Sequence, residues 1–181
     1  IEAGKIEIER IEFKLSDIID KIHQMFSNEL AKNKIKLICS TSNDIPQMLI
    51  GDPLKISQIL INLISNAIRY TGHGSIQIST LIDSTQVILH VADTGIGIPQ
   101  ESLGRVFDRF FRTNSAINIQ EGTGLGLAIS KAIVDKHHGQ LTVKSVEGEG
   151  ATFSLILPRI QPKPSQSSLN MNRRTQEIRT L

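Results

Sequence analysis

Apolar and polar positions alternate with two different periods along the chain, and together they predict a mixed α/β protein. Apolar residues recur every three or four positions in three segments, as in helices with one buried face: about 17–33, 53–70 and 127–138. Alternation at every second position predicts strands at 5–13, 34–40, 75–82, 86–93, 140–146 and 151–158. The residues 83–85 join two of these strands as a hairpin. Residues 101–112 form a short helical stretch in which an apolar cluster is expected to pack in the core: Val106, Phe107, Phe110 and Phe111.

Residues at the predicted helix ends indicate where the helices begin and stop. Ser16 is expected to cap the first helix through its hydroxyl group, and Pro53 is expected to open the second. The third helix ends in the cationic turn 136–138, and Gly139 is expected at the C′ position that follows.

The helix predicted at 53–70 carries an unusual polar stripe. At about 100° per residue, its apolar side chains cover an arc of roughly 200°. Gln58, Asn62, Asn66 and Arg69 share the remaining face. A solvated surface is the usual explanation of such a stripe. Because asparagine is a poor helix former, two asparagines one turn apart call for another reason, and a polar face toward a cleft is then about as well supported as a solvated surface.

Asp93 ends a predicted strand on the same face as Val87, Leu89 and Val91. A carboxylate on an apolar face needs a hydrogen-bond donor. Two interpretations stay open, because aspartate commonly caps a following turn and also accepts a hydrogen bond from a ligand N–H group.

Two glycine-rich segments, VADTGIGIP at 91–99 and GTGLGLA at 122–128, are candidate ligand loops. Glycine lets the backbone approach a ligand closely, and the helix after the second segment offers unpaired N–H groups that suit phosphate. Neither segment is a P-loop. Gln100 and Ile129 stand where a dinucleotide-binding G-x-G-x-x-G motif would need its third glycine.

Composition is that of an ordinary globular protein and excludes several classes. The 181 residues are 39% hydrophobic and 21% charged. The net charge of +2 hides a basic end, since 158–181 carry five basic residues and one acidic, which leaves −2 for 1–157. No basic patch with interleaved aromatics supports nucleic-acid binding. No signal peptide or long apolar run occurs, and the lone Cys39, expected to be buried in its strand, cannot form an internal disulfide.

Four motifs in order resemble the boxes of the catalytic ATP-binding domain of sensor histidine kinases, in the GHKL superfamily. LINLISNAIRYT is similar to the N box, DTGIGIP to the first glycine box, FDRFFR to the F box and GTGLGLAIS to the second glycine box. The resemblance covers roughly residues 1–158 and implies a two-layer α/β sandwich (the Bergerat ATP-binding fold), a mixed sheet with helices on one face.

The resemblance also implies a site for ATP and Mg²⁺. Asp93 would accept the adenine amino group, Asn62 and Asn66 would hold Mg²⁺ through amide oxygens, and Arg69 and Arg112 would reach the phosphates. Other residues implied to contact the nucleotide are Tyr70, Gly95, Gly97, Ile98, Gly122, Thr123, Gly124, Leu125, Gly126, Leu127 and Thr152.

The implied activity is transfer of the γ-phosphoryl group to a histidine on a dimerisation domain that the sequence lacks. Superfamily ATPases carry a glutamate where this chain has Asn62, and an amide cannot act as a general base. We therefore expect slow hydrolysis of bound ATP. A GHKL protein-serine kinase and a non-catalytic nucleotide-sensing module remain alternatives.

The resemblance further predicts domain limits and partners. Residues 1–12 would be the junction from the dimerisation region with the first strand, 13–158 the catalytic domain, and 159–181 a disordered or linker tail. Residues 113–120 would form a lid that orders around nucleotide. Because the chain begins with Ile1, we expect a piece of a longer protein. We expect it to be monomeric alone and cytoplasmic, with a homodimeric parent that acts on a response regulator and is possibly anchored in a membrane.

Overall fold

The computed structural model describes residues 8–42, 44–113 and 122–159. All of the predicted lid except Thr113, most of the tail and the first residues of the junction therefore lie outside the described residues. The elements, in chain order, are β1 (Ile11–Phe13), α1 (Leu15–Lys32), β2 (Ile35–Ser40), β3 (Leu49–Gly51), α2 (Pro53–Tyr70), β4 (Gly74–Ile82), β5 (Gln86–Asp93), a 3-10 helix (Gln100–Arg105), α3 (Gly126–Lys136), β6 (Gln140–Val146) and β7 (Gly150–Pro158).

The main sheet has five strands in the order β2-β4-β5-β7-β6. Strands β2 and β4 pair in parallel, whereas the other neighbours are antiparallel, so the sheet is mixed. Strands β1 and β3 form a separate antiparallel ribbon. The predicted hairpin joins β4 to β5, where the Asp83 carboxylate accepts hydrogen bonds from the backbone N–H groups of Thr85 and Gln86.

The three α-helices pack on one face of this sheet, with α2 between α1 and α3. Alternate strand residues such as Ile76, Val91 and Leu155 are buried beneath them, as the two-residue period requires. Ile59, Leu60 and Ile64 of α2 are also fully buried, which explains its wide apolar arc. The two-layer α/β sandwich with helices on one face is confirmed.

Helix α2 begins where its sequence predicts, and Asp52 fixes that start. Its Oδ1 accepts a hydrogen bond from the Lys55 N–H group at 2.9 Å, while Pro53 occupies the first helical turn. Its other oxygen accepts the Glu9 N–H group at 3.1 Å, so the buried Asp52 also attaches the segment before β1 to α2.

Several element predictions were wrong near chain ends and caps. Within the described residues the first strand is only Ile11–Phe13, and the short strand Leu49–Gly51 was missed. Helix α1 starts at Leu15 without a side-chain cap, so Ser16 lies inside the helix and donates to Asp17 instead.

The end of α3 differs from its prediction by one residue. His138, not Gly139, takes the left-handed conformation (φ 54°), and the N–H groups of His138 and Gly139 bond to the carbonyls of Asp135 and Val134. This is a Schellman motif with histidine at C′. His137 at this helix end is buried: it is 1% exposed and its Nδ1–H donates to the Ile133 carbonyl oxygen.

Two further expectations of burial were wrong. Cys39 is exposed because β2 is an edge strand of the sheet. The stretch 101–112 is helical only to Arg105, and Phe110 is 71% exposed rather than part of an apolar cluster. Phe107 does reach the core, where its ring meets that of Phe153 edge to face at 6.4 Å.

Candidate functional site

A cavity of about 390 Å³ lies between the polar stripe of α2, the end of β5 and the start of α3. Most of the predicted site residues line it: Asn62, Asn66, Arg69, Tyr70, Asp93, Gly97, Ile98, Arg112, Gly122, Thr123, Gly124, Gly126 and Leu127. The stripe of α2 therefore faces a cleft, which settles the alternative left open by its pattern.

Three predicted residues do not line the cavity. Thr152 lies on β7 between Ala151 and Phe153, which do line it, and successive strand residues point to opposite faces. Its assignment to the adenine pocket is therefore not supported. Gly95 and Leu125 also lie outside the lining, although both adjoin residues that contribute to it.

Asp93 caps the following turn and also lies in the cavity. Its Oδ1 accepts the Gly95 N–H group at 2.9 Å and so caps the following turn, while the side chain also lines the cavity. Burial raises the pKa of this carboxyl group, and hydrogen bonds from the backbone of Gly95 and Ala151 oppose the rise.

The first glycine segment packs tightly against the end of α2 and the β6–β7 turn. A Cβ at Gly95 would overlap the Tyr70 carbonyl oxygen, and the neighbouring Ile96 N–H group donates to that same oxygen at 3.2 Å. Gly97 has φ 67°, and a Cβ there would overlap the Val146 carbonyl oxygen. Protein packing alone therefore requires glycine at both positions.

The two asparagines lie one helical turn apart on α2. The Asn62 Nδ2 group donates to the buried Ser130 Oγ on α3 at 2.9 Å. No group of three or more His, Cys, Asp and Glu side chains suited to a metal occurs in the described ranges. Two amide oxygens beside an open cavity fit Mg²⁺, which keeps several waters and takes further ligands from phosphates.

Cationic side chains and the second glycine segment form the wall on the side of α3. Arg69 lies close to Gly122, since a Cβ on that glycine would be 3.3 Å from the Arg69 Nη1. Gly124 has φ 67°, and its carbonyl oxygen accepts the Phe110 N–H group at 2.9 Å. Phe110 also has a left-handed backbone, φ 64°, so the F-box segment is joined to the second glycine segment through two left-handed residues.

Sequence reasoning missed several lining residues: Ser65, Ala67, Ile96, Val106, Phe111, Thr113, Ala151 and Phe153. Ser65 was detectable, because it lies three residues from Asn62 on the same side of α2. The apolar members had no local signal, since their side chains are of the kind that fills any core.

Within the part of the chain that the structure describes, no helix is long and apolar enough to cross a membrane.

Comparison with known families gives an independent result. Residues 51–161 match the model of the family described as histidine kinase-, DNA gyrase B-, and HSP90-like ATPase. Sensor histidine kinase GacS of Pseudomonas protegens is 36% identical over an alignment of 167 residues, and the match covers 88% of this chain and 18% of GacS. The chain thus spans about a fifth of the length of this curated relative.

Solved structures agree with the sequence comparison. The catalytic domain of histidine kinase ThkA is 32% identical with a TM-score of 0.72, and the match covers 85% of this chain and 99% of that domain. Full-length ShkA in complex with AMPPNP is 26% identical with a TM-score of 0.75, over 88% of this chain and 33% of ShkA. ThkA has also been solved in complex with the response regulator protein TrrA.

Proposed function

Because the chain belongs to the family of histidine kinase-, DNA gyrase B- and HSP90-like ATPases, as a catalytic ATP-binding domain of the sensor histidine kinase type, we propose that it binds Mg·ATP in the cavity. We further propose that it transfers the γ-phosphoryl group to a histidine of a dimerisation domain. The observation that carries the proposal is one cavity lined by an acidic acceptor, two asparagines and two arginines. The serine-kinase and non-catalytic alternatives are not favoured by the matches.

The adenine end of the site would be at Asp93 and Tyr70. Asp93 already accepts the Gly95 N–H group, and its carboxylate retains acceptor capacity for the exocyclic amino group of a base. Ile96, Ile98 and Phe153 supply apolar surface around it. This combination of one fixed polar group and apolar walls is typical of a pocket for a base.

The phosphate end would lie toward Asn62 and α3. The eight helical steps from Asn62 to Tyr70 extend about 12 Å along α2, enough to separate a base from a triphosphate. Arg69 and Arg112 line the cavity, and the N-terminus of α3 adds backbone N–H groups and the positive end of its dipole. Asn62 and Asn66 would hold Mg²⁺, which when bound neutralises charge on the phosphate oxygens.

The donor set also supports transfer to an acceptor over hydrolysis. Asp93 is the only acidic side chain among the described residues that line the cavity, and it lies at the proposed base end. At the proposed phosphate end, the amide of Asn62 has no useful basicity to activate water. We therefore propose that the residues position and stabilise the phosphoryl group while the acceptor histidine supplies the nucleophile.

The proposal extends to parts outside the described residues. Residues 1–12 would continue from a dimerisation domain, 13–158 would form the catalytic domain, and 159–181 would form a linker. The phosphorylated histidine would in turn supply a response regulator, as the ThkA–TrrA complex suggests by analogy. The chain alone would be monomeric and its parent a homodimer.

Incubation with radiolabelled Mg·ATP and a separately supplied dimerisation domain of the parent protein tests this function. We expect label on that domain that is lost in acid and survives in alkali, as for phosphohistidine, and no transfer when the acceptor histidine is replaced by glutamine. Acid-stable label would instead indicate a serine kinase. Binding of nucleotide with no transfer would indicate a sensing module.

A further inference from the structure

The side chain of Asn62 is seated against the first turns of α3. Its Nδ2 group donates to the Ser130 Oγ at 2.9 Å, and Ser130 is only 2% exposed. A Cβ added to Gly126 would overlap the Asn62 Oδ1 and lie 2.9 Å from its Cγ. Gly126 and Ser130 are four residues apart, so they share one face of α3 and contact the carboxamide together.

The contact explains why residue 126 is glycine. Gly126 is the first residue of α3 and, unlike Gly124, is not among the glycines with positive φ. Backbone conformation therefore does not demand glycine at this position. What demands it is the Asn62 carboxamide, which occupies the space that any side chain would need.

In the structure the contact holds the amide in one orientation, with its Nδ2 group on Ser130. Ser130 does not line the cavity whereas Asn62 does, so the Nδ2 group points away from the cavity toward α3. The Oδ1 atom lies beside Gly126, which does line the cavity, and it is the acceptor that the carboxamide offers on that side. A flipped amide would present N–H donors, which repel a cation.

We propose that Gly126 and Ser130 act as a seat for Asn62, and that Ser130 is a positioning residue that directs the Asn62 oxygen toward Mg²⁺. The inference rests on the proposed function, because it gives a further residue of the same metal-dependent site. It also couples α3, which carries the second glycine segment, to the metal-binding stripe of α2.

A double-mutant cycle tests the proposal. The dissociation constant of ATP is measured by calorimetry in Mg²⁺ and in EDTA for wild type, Ser130→Ala, Asn62→Ala and the double variant. One neutral hydrogen bond corresponds to roughly 3- to 10-fold in affinity. We expect Ser130→Ala to weaken binding by about that factor in Mg²⁺, to have little effect in EDTA, and to add nothing in the Asn62→Ala background.

Matched controls separate positioning from general damage. Ser27→Ala removes an exposed hydroxyl from α1 and should leave both affinities unchanged. Gly126→Ala should abolish most of the Mg²⁺ dependence, whereas Gly104→Ala, with nothing within 4 Å of its Cβ, should not. In the nucleotide-free protein, the Asn62 side-chain amide resonances should shift in Ser130→Ala, a readout independent of ligand.

The proposal would be overturned if Ser130→Ala weakened ATP binding equally with and without Mg²⁺. It would also be overturned if Ser130→Ala weakened ATP binding by the same factor in wild type and in the Asn62→Ala variant. If Asn62→Ala weakens Mg·ATP binding and Ser130→Ala does not, only the seat is refuted. If Asn62→Ala itself has no effect, the metal assignment of the proposed function fails and the seat fails with it.

Discussion

Asp93 has both a structural contact and a place in the cavity proposed to bind ATP. Its Oδ1 fixes the Gly95 turn, and the side chain lines the cavity in which burial raises the pKa of the carboxyl group. The ionised form is the better acceptor, because protonation converts one oxygen into a donor. The pH dependence of nucleotide binding should therefore report on this residue.

We predict that ATP affinity falls as pH decreases through the pKa of Asp93, which lies above the ordinary aspartate value of 3.8. Calorimetric titrations at pH values from neutral downward measure this change. The same shift affects folding with the opposite sense. A raised pKa in the folded state means that Asp93 contributes stability at low pH that is lost as pH rises through that pKa.

Asp83 provides the matched comparison for this titration. It also accepts backbone N–H groups, but at an exposed hairpin, and the bonds from Thr85 and Gln86 lower its pKa to about 2. Its contribution to stability is present above the unfolded pKa and is lost only as pH falls toward 2. Asp83→Asn should leave the acid dependence of ATP binding unchanged, and a changed profile would contradict the assignment to Asp93.

At the residue scale, prediction from sequence succeeded where a polar residue interrupts an apolar pattern. Asn62, Asn66 and Asp93 were found because each is unexpected in its local context, and all three line the cavity. Thr152 does not line the cavity, because it lies on the strand face opposite to Ala151 and Phe153. The seat formed by Ser130 could not be predicted, because Asn62 and Ser130 are 68 residues apart in the chain.

At the scale of elements, the start of α2 depends on its N-cap residue, Asp52. We predict that Asp52→Ala lowers the free energy of unfolding by about 1–3 kcal/mol, since it removes an N-cap and leaves the Glu9 N–H group without its acceptor. Urea denaturation followed by circular dichroism measures the loss. Asp17→Ala, in the uncapped first turn of α1, should cost less than about 1 kcal/mol. Equal losses would contradict the capping assignment.

At the C-terminus of α3, substitutions at two adjacent residues should change the stability of the protein in opposite directions. His138→Gly should stabilise the protein by up to about 1 kcal/mol, because glycine adopts a left-handed backbone without the Cβ penalty. Gly139→Ala should destabilise it, because the added Cβ would overlap the Ile156 carbonyl oxygen. Thermal unfolding of the two variants distinguishes these effects, and stabilisation by both would contradict the Schellman assignment.

Element existence was predictable because the periods of α2, β4, β5, β6 and β7 are strong. Errors occurred where local signals are ambiguous, such as the three-residue strands β1 and β3, which are held by pairing with each other. The end of α3 was misplaced by one residue because Gly139 signals a C′ position. Residue 139 is glycine because a side chain there would overlap the Ile156 carbonyl oxygen, and His138 adopts the left-handed conformation instead.

On the scale of the whole molecule, the arrangement brings residues from distant segments to one cavity. The strand order β2-β4-β5-β7-β6 was not derivable from the periods, and the resemblance to the histidine kinase domain supplied the fold class. With that fold, the stripe of α2 faces the end of β5 and the start of α3. The central claim is therefore that this shared cavity is a Mg·ATP site with Asp93 at its base end and Asn66 near its phosphate end.

Calorimetric titration of Mg·ATP into wild type, Asp93→Asn, Asn66→Ala and Asp83→Asn tests this claim most directly. A hydrogen bond to a charged group is worth about 1.5–3 kcal/mol, so Asp93→Asn should weaken binding roughly 10- to 100-fold. Asn66→Ala should weaken it about 10-fold or more in Mg²⁺ and much less in EDTA, while Asp83→Asn should bind as wild type. Wild-type affinity in Asp93→Asn or in Asn66→Ala would contradict the account.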